Sequence, residues 1–135
     1  MKKILLALSL MLGTQAVMAQ APANGPQFKF VEETHNFGVV KRGPIADYDF
    51  EFTNVGNAPL IIMDVTPSCG CTGVDWPKQP VLPGQKGKIH LGLKTAEQHG
   101  VFNKEVYIRS NAPAPNGAKR YTLYIKGNAV GEDPK

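Results

Sequence analysis

The two cysteines of this 135-residue chain stand one residue apart, in SCGCT from Ser68 to Thr72. A pair at that spacing allows three states: a disulfide, a shared soft metal ion, or two packed free thiols. In extended backbone, side chains two residues apart point the same way but sit more than ~6 Å apart along the strand. Disulfide Cβ atoms approach to roughly 3.5–4.5 Å. A disulfide therefore needs a tight bend, and Gly70 is the residue that permits one. Closing so short a loop is worth only ~1.6 kcal/mol in chain entropy, against about 3 for a loop of some fifteen residues. Such a bond is not a structural staple.

Two thiolates at this spacing suit Cu(I), whereas Zn²⁺ takes two further ligands. His35, His90, His99 and Met63 are the other soft or borderline candidate donors. His90 alternates with Ile89 and Leu91 and so points outward, His35 lies in a first-strand motif, and His99 falls in a turn. No spacing puts any of them beside the cysteines, and the second ligand pair of a zinc pattern is absent. Thiol exchange calls for a thiol activated by a helix N-terminus or a cation. No helix follows the pair, and the gap is not that of thioredoxin-like motifs. Three readings stay open: an inert disulfide or packed thiols, contact with Cu or Zn, and thiol exchange or partner linkage.

The compartment bears on that choice. MKKILLALSLMLGTQAVMAQ has a basic start at Lys2 and Lys3, an apolar run from Ile4 to Leu12, and Val17 and Ala19 at the positions a cleavage site expects. This is the pattern of a secretory signal peptide. The run is shorter than the roughly 20 residues a membrane span needs, and no lipidation cysteine follows it. The expected domains are a signal peptide over 1–19, a flexible leader over 20–27, one folded domain over 28–130 and a disordered tail over 131–135. Export then delivers a protein without a membrane anchor to the periplasm or the medium, where disulfides persist. With Lys2 and Lys3 removed, the formal charge of +4 falls to +2. Basic residues are adjacent in the mature chain only at Lys41-Arg42 and Lys119-Arg120. A nucleic-acid footprint needs clustering, so no nucleic-acid partner is expected.

The elements that must position the cysteines read as strands. FKFV opens a first strand that resumes at THNFGVV. ADYDFEF alternates, with Tyr48, Phe50 and Phe52 on one face and Asp47, Asp49 and Glu51 on the other. LIIMDV is apolar at both parities and reads as an interior strand, ending at Pro67 before the cysteines. Ile89, Leu91 and Leu93 share a face, as do Phe102, Val106 and Ile108, and then Tyr121, Leu123 and Ile125. No helical period runs over twelve residues, and Gly, Pro and Asn punctuate the runs. About seven strands in one small domain predict an all-β, immunoglobulin-like β-sandwich, with a small open barrel as the alternative.

Asp47, Asp49 and Glu51 invite a calcium reading, but they lack the glycine and turn spacing of a calcium loop and fit a solvated strand face. Trp76, in VDWP, either shields the cysteine segment, anchors a partner or simply packs. Asn54, Asn57 and Gly56 serve a turn, and Asn111 does the same after the strand carrying Ile108. No nucleophile elbow, phosphate-binding glycine loop or paired metal-ligand helix motif is present.

THNFGVV, FEFTNVGNAPLII, SCGCT, PVLPGQKGKI, GVFNKEVYIRSN and LYIKGNAV occur in that order. Together they resemble the bacterial family called domain of unknown function 1573, from about Thr34 to Val130. The resemblance implies an immunoglobulin-like sandwich akin to major-sperm-protein-like and cilia-associated domains, in exported proteins largely of the Bacteroidetes group. It implies no enzymatic activity. The expectation is an exported, non-catalytic binding or structural module of the cell envelope, whose partner is an envelope protein or glycan. Ser68, Thr72 and Trp76 are its candidate partner surface, with Gly70 as the structural turn. The alternative is a periplasmic soft-metal or thiol-redox protein using Cys69 and Cys71, with Cu or Zn as the candidate cofactor.

Overall fold

The computed structural model describes residues 25–131. The expected signal peptide, residues 20–24 of the leader and residues 132–135 of the tail lie outside the described residues. Eight strands follow in order: β1 (Phe28–Phe30), β2 (Thr34–Lys41), β3 (Ile45–Asn54), β4 (Ile62–Pro67), β5 (Thr72–Asp75), β6 (Lys86–Lys94), β7 (Gly100–Ser110) and β8 (Tyr121–Val130). They form two sheets of four, ordered β1-β3-β6-β5 and β2-β8-β7-β4. β2 runs parallel to β8, and the remaining pairs are antiparallel. The architecture is a β-sandwich, not a barrel.

The expected core faces are the observed ones. Phe50, Phe52, Ile89, Leu91 and Leu93 of the first sheet are buried, as are Phe102, Val106, Ile108, Tyr121, Leu123 and Ile125 of the second. Strict alternation dictates this, because a strand with one wet face sends every second side chain inward. Burying each large apolar side chain contributes about 1.5–3 kcal/mol.

The structure corrects two strand readings. The expected first strand is two strands in different sheets, which is why there are eight and not seven: Phe28 of β1 pairs with Asn54, and Thr34 of β2 pairs with Tyr124. The intervening glutamates hold the crossing to both sheets. Glu32 accepts a hydrogen bond from the Tyr48 hydroxyl on β3 and contacts His35 Nδ1 at 2.7 Å. Glu33 accepts one from the Tyr121 hydroxyl on β8. The second correction concerns LIIMDV, whose strand lies at a sheet edge and not in its interior. A register shift between Ile62 and Asp64 resets the alternation. Ile62 and Val65, three residues apart, are both buried, while Ile61 and Met63 stay exposed. Apolar residues at both parities here mark a bulge.

Asn54, at the end of β3, is completely buried. Its Oδ1 accepts from the N–H groups of Gln27 (3.2 Å) and Gly56 (3.0 Å), and its Nδ2 donates to the carbonyls of Ala58 and Val81, both at 2.8 Å. All four bonding positions of the amide are filled. A Cβ on Gly56 would lie 2.0 Å from the Gly25 carbonyl oxygen, so only glycine lets these segments meet. Gly25 N–H donates to Asn57 Oδ1 (2.6 Å), and Val55 N–H donates to the Gln27 carbonyl (2.9 Å). Residues 25–27, expected in the flexible leader, are thus bonded to the domain. Asn111 performs a similar service, donating from Nδ2 to the Pro59 carbonyl (3.0 Å) and accepting from Ile61 N–H (2.8 Å).

Two outcomes follow from these contacts. Replacing Asn54 with alanine leaves the N–H groups of Gln27 and Gly56 and the Ala58 carbonyl without this partner, while the Val81 carbonyl keeps its bond from Leu60 N–H; it is expected to remove about 3 kcal/mol of stability in urea unfolding. Burial first, and then the bond to Glu32, push the Tyr48 phenol from 10.0 up to about 12. A raised value means that the stabilisation is complete below pH 10.0 and is lost as pH rises towards about 12. Phenolate absorbance and unfolding midpoints across that window should show Tyr48→Phe less alkali-sensitive than the parent, though less stable at neutral pH.

Candidate functional site

The cysteines sit where the chain changes sheet. β4 ends at Pro67 as the edge strand of the second sheet, and β5 begins at Thr72 as the edge strand of the first. Between them, Ser68 N–H donates to the Glu105 carbonyl (2.8 Å), and Glu105 N–H donates back to Ser68 Oγ (3.0 Å). These bonds fasten the start of the crossing to β7. At its other end, Lys94 N–H donates to the Cys71 carbonyl (2.8 Å), fastening it to β6. Cys69 and Cys71 are joined as a disulfide, with Cα atoms 5.3 Å apart. That is shorter than two residues of extended strand, at roughly 6.6 Å, so the segment bends as a disulfide requires.

Gly70 is not the enabling residue in the sense expected. It does not adopt a left-handed φ, and a Cβ added to it meets no atom beyond its chain neighbours within 4 Å. Neither backbone conformation nor space demands glycine there.

The candidate surface residues divide. Ser68 is exposed. Thr72 is not a surface residue: it pairs with Leu93 on the inward face and is 6% exposed, because the strand alternation has already begun at that position. Trp76 is half-buried against the core, with the Lys78 ammonium 3.0 Å from the centre of its ring. It therefore packs against the core, while holding a cation over one face. Cys71 belongs to the buried core at 7% exposure, whereas Cys69 is half-buried at its margin.

The candidate metal donors lie elsewhere. His90 is on the outer face of β6, with Nδ1 2.6 Å from Asp49 Oδ1 and Nε2 3.4 Å from Asp47 Oδ1. His35 stacks on Tyr48 with ring centres 3.5 Å apart. His99 lies 3.4 Å from the Arg42 guanidinium, and Met63 is exposed on β4. Among the described residues, no group of three or more His, Cys, Asp and Glu could hold a metal ion. With the sulfurs bonded to each other, a thiolate pair for Cu or Zn exists only after reduction. Asp47 and Asp49 of the acidic row on β3 pair with β6: bonds from His90 and then Lys88 hold the Asp49 carboxyl below its ordinary value. Glu105, which makes the crossing's backbone bonds, carries no sequence signal, because any residue type supplies an N–H and a carbonyl.

The family model for proteins of unknown function, DUF1573, matches residues 28–129. The chain belongs to that family. No curated protein matches it. Among solved structures, a protein of unknown function from Porphyromonas gingivalis W83 is similar over 84% of this chain and 51% of its own, at 17% identity and a TM-score of 0.65. The VesB protease of Vibrio cholerae is similar over 76% of this chain and 32% of its own, at 17% identity and a TM-score of 0.60. The ASH/PapD-like domain 7 of human CEP192 is similar over 81% of this chain and 87% of its own, at 9% identity and a TM-score of 0.50. The chain thus spans about half of the first of these proteins and a third of the second. At these identities the likeness is one of fold, an immunoglobulin-like or PapD-like sandwich.

Because Gly70 alone already joins the two cysteines through the backbone, reducing the disulfide should cost no more than ~2 kcal/mol. Urea unfolding with and without a reductant should show a modest shift in midpoint and an unchanged far-ultraviolet spectrum below the transition.

Proposed function

We propose that this protein is an exported, non-catalytic recognition module of the bacterial cell envelope that docks a protein partner on the β4–β5 side of its sandwich. The observation that carries this reading is the meeting, on one side, of two free strand edges with the SCGC crossing between them. Among the described residues, β4 pairs only with β7, and β5 only with β6. An edge strand presents unpaired N–H and C=O groups, which an extended segment of another protein can complete. Exposed Ile61 just before β4 and Met63 on it add apolar contact, and half-buried Trp76 follows β5. A glycan is the weaker candidate, since sugar stacking needs an open aromatic face and Lys78 occupies one face of Trp76. The export reading is supported by the signal-like pattern of residues 1–19. The non-catalytic reading is supported by membership in a family of unknown function and by a fold shared with PapD-like domains.

Placing a photo-crosslinking residue at Met63 or Thr66 and, as a control, at Lys29 on the opposite edge strand β1 tests this in the producing cells. A discrete protein adduct from positions 63 and 66, absent at 29 and lost on Met63→Lys beside a probe at 66, is the expected result. Equal adducts from both edges, or none from β4, overturn the reading.

A further inference from the structure

We infer that the Cys69–Cys71 disulfide is a thiol-exchange site whose natural reactant is a dithiol, attacking at Cys69 and releasing Cys71. The inference goes beyond the docking reading of the β4–β5 side, and its chemistry does not require that a partner strand docks there.

The bond is not what holds the crossing. Ser68 and Glu105 exchange two hydrogen bonds at one end, and Lys94 N–H binds the Cys71 carbonyl at the other. Opening the S–S bond leaves all three in place, so the segment can change redox state without unfolding its surroundings. The two cysteines also differ in exposure. Cys71 is packed in the core, 7% exposed, while Cys69 is half-buried between exposed Ser68 and exposed Gly70. An incoming thiolate meets the Cys69 sulfur first. The fold does not need glycine at position 70, and a glycine there keeps any residue-70 side chain away from the bond. The buried Thr72 hydroxyl lies 4.0 Å from Cys71 Sγ. Its proton can turn towards a developing thiolate.

The electron count closes on a dithiol. The first thiolate of the reactant forms a bond to Cys69 Sγ, the Cys69–Cys71 bond breaks, and Cys71 departs as a thiolate. A monothiol stalls here, because Cys71, one residue away, re-attacks and expels it. A dithiol goes on: its second thiolate attacks its own sulfur in the mixed disulfide and releases Cys69. The pair has then gained two electrons and takes up two protons, and the reactant is left as a disulfide.

Glutathione as a monothiol and dithiothreitol as a dithiol, each added to the oxidised native protein, separate these steps. Dithiothreitol should liberate two alkylatable thiols with the native circular dichroism retained, and glutathione should leave little adduct by intact mass. In Cys71→Ser, glutathione disulfide should label Cys69 at least about tenfold faster than it labels Cys71 in Cys69→Ser. Equal labelling of the two, or reduction of the native protein only in denaturant, overturns the inference; if a variant does not fold, the wild-type reactions still decide. Exchange at Cys69 without a protein adduct at β4 leaves this inference standing and removes the docking reading.

Discussion

A chain that builds two facing sheets must satisfy its backbone polar groups wherever it leaves one sheet for the other. Here five of the seven connections between consecutive strands change sheet. No ladder continues across such a connection, and a buried N–H or carbonyl left without a partner costs about 1–3 kcal/mol. At three of these crossings specific polar side chains also tie the connection to the sheets. Glu32 and Glu33 reach one tyrosine on each sheet between β1 and β2. Thr95, whose Oγ1 accepts from Gly43 N–H and bonds the Pro44 carbonyl, holds the passage from β2 to β3. Asn54 and Asn111 bracket the passage from β3 to β4. The greasy interior supplies most of the driving force, and these side chains decide that the chain folds at defined corners.

The β4–β5 crossing stands apart within that series. It is short, and it is held mainly by backbone groups, with one serine hydroxyl completing the set. Its disulfide spans residues that the backbone already links through Gly70. A cross-link of that kind removes little entropy from the unfolded chain, so chemistry is a better account of the pair than stability. The neighbourhood fits the same view. Among the described residues two strand edges lie there unpaired, and an aromatic side chain packs against the core just beyond β5.

The inward faces were legible because alternation carries them. Tyr48, Phe50 and Phe52 read correctly, and so did the apolar triplets of β6, β7 and β8, since each strand's own residues reveal which face is dry. Edge position was not legible. LIIMDV has the composition of an interior strand, yet its bulge and its place beside β7 alone make it an edge. Thr72 was misplaced for a related reason: its burial depends on pairing with Leu93, twenty-one positions away in the chain. Glu32 and Glu33 look like ordinary surface glutamates until Tyr48 and Tyr121 are brought to them. Gly70 misled in the opposite direction, because a glycine between two cysteines suggests a backbone need that the bend does not have.

The amino-acid sequence by itself determined the strand class, the faces that turn inward, the family and the closeness of the two sulfurs, all of which are local or periodic properties. The tertiary structure alone decided the partition of strands between sheets, the edge that stays open, and the different exposure of Cys69 and Cys71. Those depend on which distant segments lie alongside one another, and hydrogen-bond pairing between strands leaves no mark on either strand read alone.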